Sequence, residues 1–244
     1  MRGSYVAKGL AVFALALAAP AWSQNANPDV KNSGGFEELK VNPVKLAELR
    51  VTIDYSEVPQ HKEWAEKSQK LVEAWHPKIE EILKSEGYTA PREVKLVFKN
   101  QKTIAFANPG SKLISISSEW ITKNPNDFGM VAHELTHIIQ SYRGTPKGAG
   151  WIVEGIADYV RHYAYEPDAK MRTINVKKAK YTDAYQTAAQ FLRWIEKKYD
   201  KDIVFKLNRA LREREYNVAM FQKSTGKNVD ELWAEFIETL TKKE

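Results

Sequence analysis

The stretch Val131-Ala132-His133-Glu134-Leu135-Thr136-His137 is an H-E-x-x-H sequence, and its reading governs the rest of the chain. On a helix, His133 and His137 leave the same face one turn apart. Two neutral imidazoles so placed reach one Zn²⁺ at roughly 2.0–2.1 Å each. Glu134, beside the first of them, is then positioned to take a proton from water activated at the metal. Met130, Val131, Leu135, Ile138 and Ile139 make the remainder of the helix apolar. The helix is therefore expected to be buried, where a histidine needs a partner.

A third ligand has to come from elsewhere in the fold. Downstream runs Trp151-Ile152-Val153-Glu154-Gly155-Ile156-Ala157-Asp158-Tyr159, in which Glu154 and Asp158 share a helix face. Glu154 is the expected ligand. Asp158, one turn on, is expected to accept the Nδ1–H of a zinc histidine and fix its tautomer. The competing reading is a solvated helix that matches a short motif by chance; the apolar flanks and the second carboxylate-bearing helix weigh against it. A three-histidine site would need Gly at 140 and His at 143, where the chain has Gln140 and Arg143. There is also no G-x-M-E-N segment, the usual amine-binding element of one aminopeptidase family. The pattern thus fits a glutamate-zincin site and predicts an endopeptidase.

The segments HELTHIIQSY (133–142), WIVEGIADYVR (151–161), YTDAYQTAAQFLRW (181–194) and VDELWAEF (229–236) resemble the basic secretory proteins of plants and bacteria, described as peptidases. Weaker similarity reaches VTIDYSE (51–57) and TAPREVKLVF (89–98). The resemblance implies a glutamate-zincin-like catalytic domain, secretion and proteolysis, and it carries over onto His133, Glu134, His137, Glu154 and Asp158. It is least between Arg143 and Gly150, so the rim of the cleft is not described by it.

Arg2 and Lys8 precede an apolar run from Gly9 to Ala19 and then Pro20-Ala21-Trp22-Ser23. That is the layout of a secretory signal peptide, with cleavage expected between Ser23 and Gln24. The apolar run is shorter than the ~20 residues that span a bilayer, and no later stretch is apolar enough. Residues 24–45, with Asn32-Ser33-Gly34-Gly35, read as a flexible leader, and residues 46–244 as one metallopeptidase domain. The chain has no cysteine, which excludes disulfides and a lipid-modified N-terminal cysteine; a periplasmic or released protein is expected. The formal charge of +6 falls to +4 without Arg2 and Lys8. With no lysine-arginine tract, nucleic-acid binding is not expected. A peptide or protein substrate and a monomer are.

Local patterning predicts strands at Leu49–Tyr55, Glu93–Phe98, Thr103–Ala107 and Lys112–Ser117, the last two around Asn108-Pro109-Gly110. Trp64 to Leu83 recurs at helical spacing, with a kink or a fresh start near His76 because of Pro77. Further helices are expected at about 127–142, 151–164, 182–199, 203–213 and 229–240. A small mixed sheet followed by a mostly helical C-terminal half is an α+β layout. The zinc helix should pack under the sheet, with Thr103–Ala107 either an edge strand able to pair with an extended peptide or an ordinary core strand. His61 and His76 are expected to be surface or half-buried. Trp64, Trp75, Trp194 and Trp233 are expected in the core.

A hydrolase of this kind also needs a donor for the oxyanion. Tyr185 is the expected one, on a helix running antiparallel to, or across, that of Glu154. A tyrosine packed in the core is the alternative, and Tyr142, Tyr159 and His162 are weaker candidates for the role. A binding or defence protein on an inactive zincin scaffold is the competing function, disfavoured by the intact Glu134.

Overall fold

Alternation of β-branched and polar residues in Arg50-Val51-Thr52-Ile53-Asp54 makes the first strand, β1. A computed structural model describes residues 49–242; the expected signal peptide and leader lie outside the described residues. Strands β2 (Glu93–Lys99), β3 (Ala105–Asn108) and β4 (Leu113–Ser117) complete a four-stranded sheet in the order β1-β2-β4-β3. β1, β2 and β4 are parallel, and β3 pairs antiparallel with β4. The third strand is therefore the edge, starting two residues later than its sequence pattern suggests. Val51, Val94, Leu96, Phe98, Ile114 and Ile116 point to the buried face.

Helix α1 (Lys62–Ile82) covers that face and runs unbroken through Pro77. No fresh helix starts at His76. Proline removes the bond to the carbonyl of Glu73, but Glu73 is exposed and water can take its place. Trp64, Leu71, Val72, Trp75 and Ile79 meanwhile keep the helix in the core. His76 is buried, contrary to expectation, with Nε2 2.8 Å from the Pro91 carbonyl.

After the short α2 (Ser118–Lys123), which the sequence reading leaves out, comes α3 (Gly129–Gln140). All of its residues are buried except His137, which is partly so, so this is a central helix whose polar groups need partners inside the protein. Both ends are tied down by polar groups. At the start, Asp127 receives Arg161 Nη2 (2.7 Å) and Trp120 Nε1 (2.9 Å), and Arg161 also pairs with Glu166. At the end, the orphan carbonyls that every helix leaves are met from two directions: Tyr88 donates to Ile139 (2.5 Å), and Arg212 reaches Ile139 (3.3 Å) and Gln140 (3.4 Å). A cation there also suits the negative end of the helix dipole.

Helix α4 (Gly150–Val160) follows, closed by a π-helical turn over Arg161–Tyr165. Then come α5 (Tyr185–Lys198), α6 (Ile203–Glu213), the unanticipated α7 (Ala219–Thr225) and α8 (Val229–Thr241). The molecule is α+β, with the helices concentrated in its C-terminal half. α3 and α4 run in opposite senses, since His133 meets Asp158 while Gln140 meets Val153. α4 and α5 run in the same sense: Gly155 faces Ala188 and Leu192, and Tyr159 faces Arg193 and Glu196. Of the two arrangements expected for the Tyr185 helix, antiparallel to or across that of Glu154, this rules out the antiparallel one. The long crossover between residues 161 and 184 lets α5 return to the same end of the bundle, a choice that helix periodicity does not encode.

Candidate metal centre

His133 and His137 lie four apart on α3, and the opposite sense of α4 brings Glu154 against both. Their donor atoms form a triangle. Nε2 of His133 is 3.1 Å from Nε2 of His137, and Oε2 of Glu154 is 3.2 Å from the first and 3.4 Å from the second. Ligands at ~2.0–2.1 Å from a tetrahedral zinc stand about 3.3 Å from one another. The triangle has the edge lengths of one tetrahedral face, so the donors fit a metal ion, and this is the one such group found among the described residues.

The other ring nitrogens are held from behind. His133 Nδ1 lies 2.6 Å from Oδ1 of the fully buried Asp158. His137 Nδ1 lies 2.8 Å from Oε1 of Gln140, whose amide donates to the Val153 carbonyl at 3.1 Å. Both Nδ1 atoms therefore hold a proton, so a metal bound at the triangle would meet both Nε2 lone pairs. The contact between Asp158 and His133 was legible from the spacing of Asp158. Gln140 was not singled out, although it stands one turn beyond His137 and could have been found by the same rule.

Burial pulls the His133 imidazolium down, yet Asp158, Glu154 and Glu134 outweigh it and lift its pKa to about 10. Burial likewise opposes ionisation of Glu154, but the two histidines hold its pKa well below the usual carboxylate range. Three carboxylates around two imidazoles thus favour a positive charge at the centre of the triangle. Glu134 is buried, which raises its pKa against the opposing pull of His133 and His137, and the Ala107 amide hydrogen-bonds to it. That bond brings the edge strand over the site.

Tyr185 stands at the start of α5 with its ring stacked on that of His133, centroids 6.0 Å apart. The residue is 41% exposed, and its hydroxyl makes no hydrogen bond to another described residue. Burial of part of the ring, with Glu154, Glu134 and Asp158 nearby, pushes the phenol pKa well above its ordinary value, so it stays a donor. The backbone here is strained: Tyr185 has φ 47° and Ala184 has φ 60°, ψ −158°. Such conformations cost on the order of 1–3 kcal/mol each and cluster at functional sites.

The weaker oxyanion candidates are placed elsewhere. Tyr142 donates to Asn208 (2.9 Å) and Tyr159 to Glu196 (2.6 Å). His162 is sealed in the π-turn with neither ring nitrogen hydrogen-bonded, and burial lowers its pKa to about 4.

A family model described as peptidase of plants and bacteria matches residues 60–236, most of the chain. No curated protein and no solved structure matches it.

Proposed function

Because the chain belongs to the basic secretory protein family, the peptidases of plants and bacteria, we propose that it is a zinc-dependent endopeptidase acting outside the cytoplasm. The observation that carries this reading is the donor triangle of His133, His137 and Glu154 beside a buried glutamate that is not one of its corners. Zinc bound there supplies a Lewis acid that polarises a carbonyl and makes water acidic enough to attack near neutral pH. Glu134 accepts the proton of the attacking water; its raised pKa lets it hold that proton and pass it to the leaving amine. Asp158 and Gln140 keep His133 and His137 in the tautomer that presents Nε2. Tyr185 donates a hydrogen bond to the oxygen on which negative charge develops.

The peptide binds along β3. In an antiparallel pair, residues alternately direct both backbone groups to the partner strand and away from it. Ser117 N–H donates to the Ile104 carbonyl at 2.9 Å, which assigns Ile104, Phe106 and Asn108 to β4. Ala105 and Ala107 therefore face the open edge. The Ala107 amide is taken by Glu134, and the Ala105 N–H and both carbonyls are left to pair with an extended substrate. Export rests on the signal-peptide reading of residues 1–23. Among the described residues, no helix is long and apolar enough to cross a membrane.

Elemental analysis and peptide hydrolysis on Glu134→Gln and His137→Ala test the proposal. The first should keep about one zinc per chain, as a single three-ligand site requires, and lose hydrolysis; the second should lose both. Zinc retained by His137→Ala would end the ligand assignment. Undiminished hydrolysis by Glu134→Gln would end the mechanism, and a parent protein that binds zinc but cleaves nothing would favour a binding protein on this scaffold.

A further inference from the structure

Three residues before Glu154 on α4, Trp151 lines a cleft of about 400 Å³ bounded also by Pro146, Gly148, Tyr181, Tyr216 and Val218. Pockets that take small ligands run at ~300–1,000 Å³. Trp151 precedes Glu154 by three residues on α4, and the lining residue Thr182 precedes Tyr185 by three, so the cleft adjoins the Glu154–Tyr185 side of the centre. A helical turn rises 5.4 Å and an extended peptide ~3.4 Å per residue. A substrate whose carbonyl sits at the metal centre thus carries a side chain one or two residues away over the cleft.

We infer that this cleft receives a large apolar or aromatic side chain of the peptide substrate and sets the cleavage preference. The inference rests on the peptidase reading and adds the substrate class. Trp151 and Tyr181 form the inner wall with ring centroids 4.9 Å apart, an aromatic surface suited to another ring or a branched chain. Val218, at the rim, is 54% exposed. It is one of three large apolar residues exposed among the described ones, with Tyr185 beside the metal centre and Phe106 on the edge strand. Its methyl groups add apolar surface to the concave wall that a substrate side chain can cover. Lys147 is the one charged side chain lining the cleft, and it repels a lysine or arginine from the substrate.

The test uses zinc-loaded protein and blocked peptides that carry Phe, Leu, Gly, Asp or Lys at each of the two positions on either side of the scissile bond. One position should favour Phe or Leu over Gly and Lys by at least about tenfold in kcat/KM, the discrimination an apolar pocket supplies. Val218→Glu and Lys147→Glu, both at exposed positions, should each shift the Leu-to-Lys ratio at that position toward Lys by a similar factor. No preference at any of the four positions, or variants that lower all peptides alike, overturns the inference. Binding of the same peptides to Glu134→Gln separates the two readings: if it shows the Leu-over-Lys preference while the parent hydrolyses none of them, the pocket stands and the proposed reaction falls; if it shows none, the pocket falls.

Discussion

Replacing Gly155 by alanine tests the contact on which the geometry of the site depends. A Cβ built at Gly155 lies 2.8 Å from the Cβ of Ala188, 3.2 Å from Cδ1 of Leu192 and 3.5 Å from the Ala188 carbonyl carbon. Non-bonded carbons prefer about 3.5–4.0 Å. The overlap with Ala188 is thus on the order of 1 Å, and its Cβ is fixed to the α5 backbone, so no rotamer relieves it. Intrinsic helix propensity alone predicts stabilisation by ~0.8–1.0 kcal/mol, whereas overpacking a filled core costs about 1–3 kcal/mol. The net expectation is a loss of up to about 2 kcal/mol, or a fall in Tm of up to roughly 8 °C for a domain of this size. Relief requires α5 to move away from α4, and with it Tyr185 from the face that carries Glu154. Misplacement by ~1 Å at an active site can cost about 100-fold in rate, so hydrolysis should fall more than stability alone explains. Thermal unfolding and peptide kinetics on Gly155→Ala, Ala188→Gly and the pair together check this. The pair should recover most of both losses, because the methyl has changed sides. A Gly155→Ala protein with raised Tm and undiminished hydrolysis would refute the reasoning.

Asp158→Ala should fold but bind zinc roughly 10–100-fold more weakly, the usual effect of losing a carboxylate that orients a ligand histidine; chelator competition measures it, and unchanged affinity would contradict the role. Tyr185→Phe should lower kcat by about 100-fold with little change in KM, the signature of an interaction made in the transition state; an equal kcat would remove Tyr185 from the reaction. His162 has a folded pKa of about 4, below the ordinary imidazole value of 6.5, chiefly through burial. Its neutral form therefore contributes stability that is present above pH 6.5 and lost as pH falls toward 4, about 2 kcal/mol of it by pH 5. His133 and His137 are shifted upward and act in the opposite sense in the metal-free protein. The comparison is therefore between metal-free His162→Leu and its parent in denaturant unfolding at pH 7 and pH 5: the variant should lose about 2 kcal/mol less, and equal losses would contradict the assignment.

The parts of the site legible in sequence are those set within one helical turn. The i, i+4 pairs His133/His137 and Glu154/Asp158 each share a face because an α-helix repeats every 3.6 residues, whatever surrounds it. The α+β class was legible for the same reason, since alternation and 3.6-residue periodicity are local signals. Short helices were not: α2 and α7 have six and seven residues, too few for a periodic stripe to stand out. The burial of His76 was also missed, because its reason is the Pro91 carbonyl fifteen residues away.

The sequence by itself therefore determined which residues share a helix face and can act as pairs. The tertiary structure decided how those pairs meet. The opposite sense of α3 and α4 closes the three donors into a triangle with edges of 3.1–3.4 Å. The common sense of α4 and α5, in place of the antiparallel option of the sequence expectation, lays Tyr185 over His133, and Trp151 and Tyr181, packed together, line the cleft. Helix direction is set by the length of the connections and by close contacts such as Gly155 against Ala188. Those are interactions between residues tens of positions apart, and no local periodicity records them.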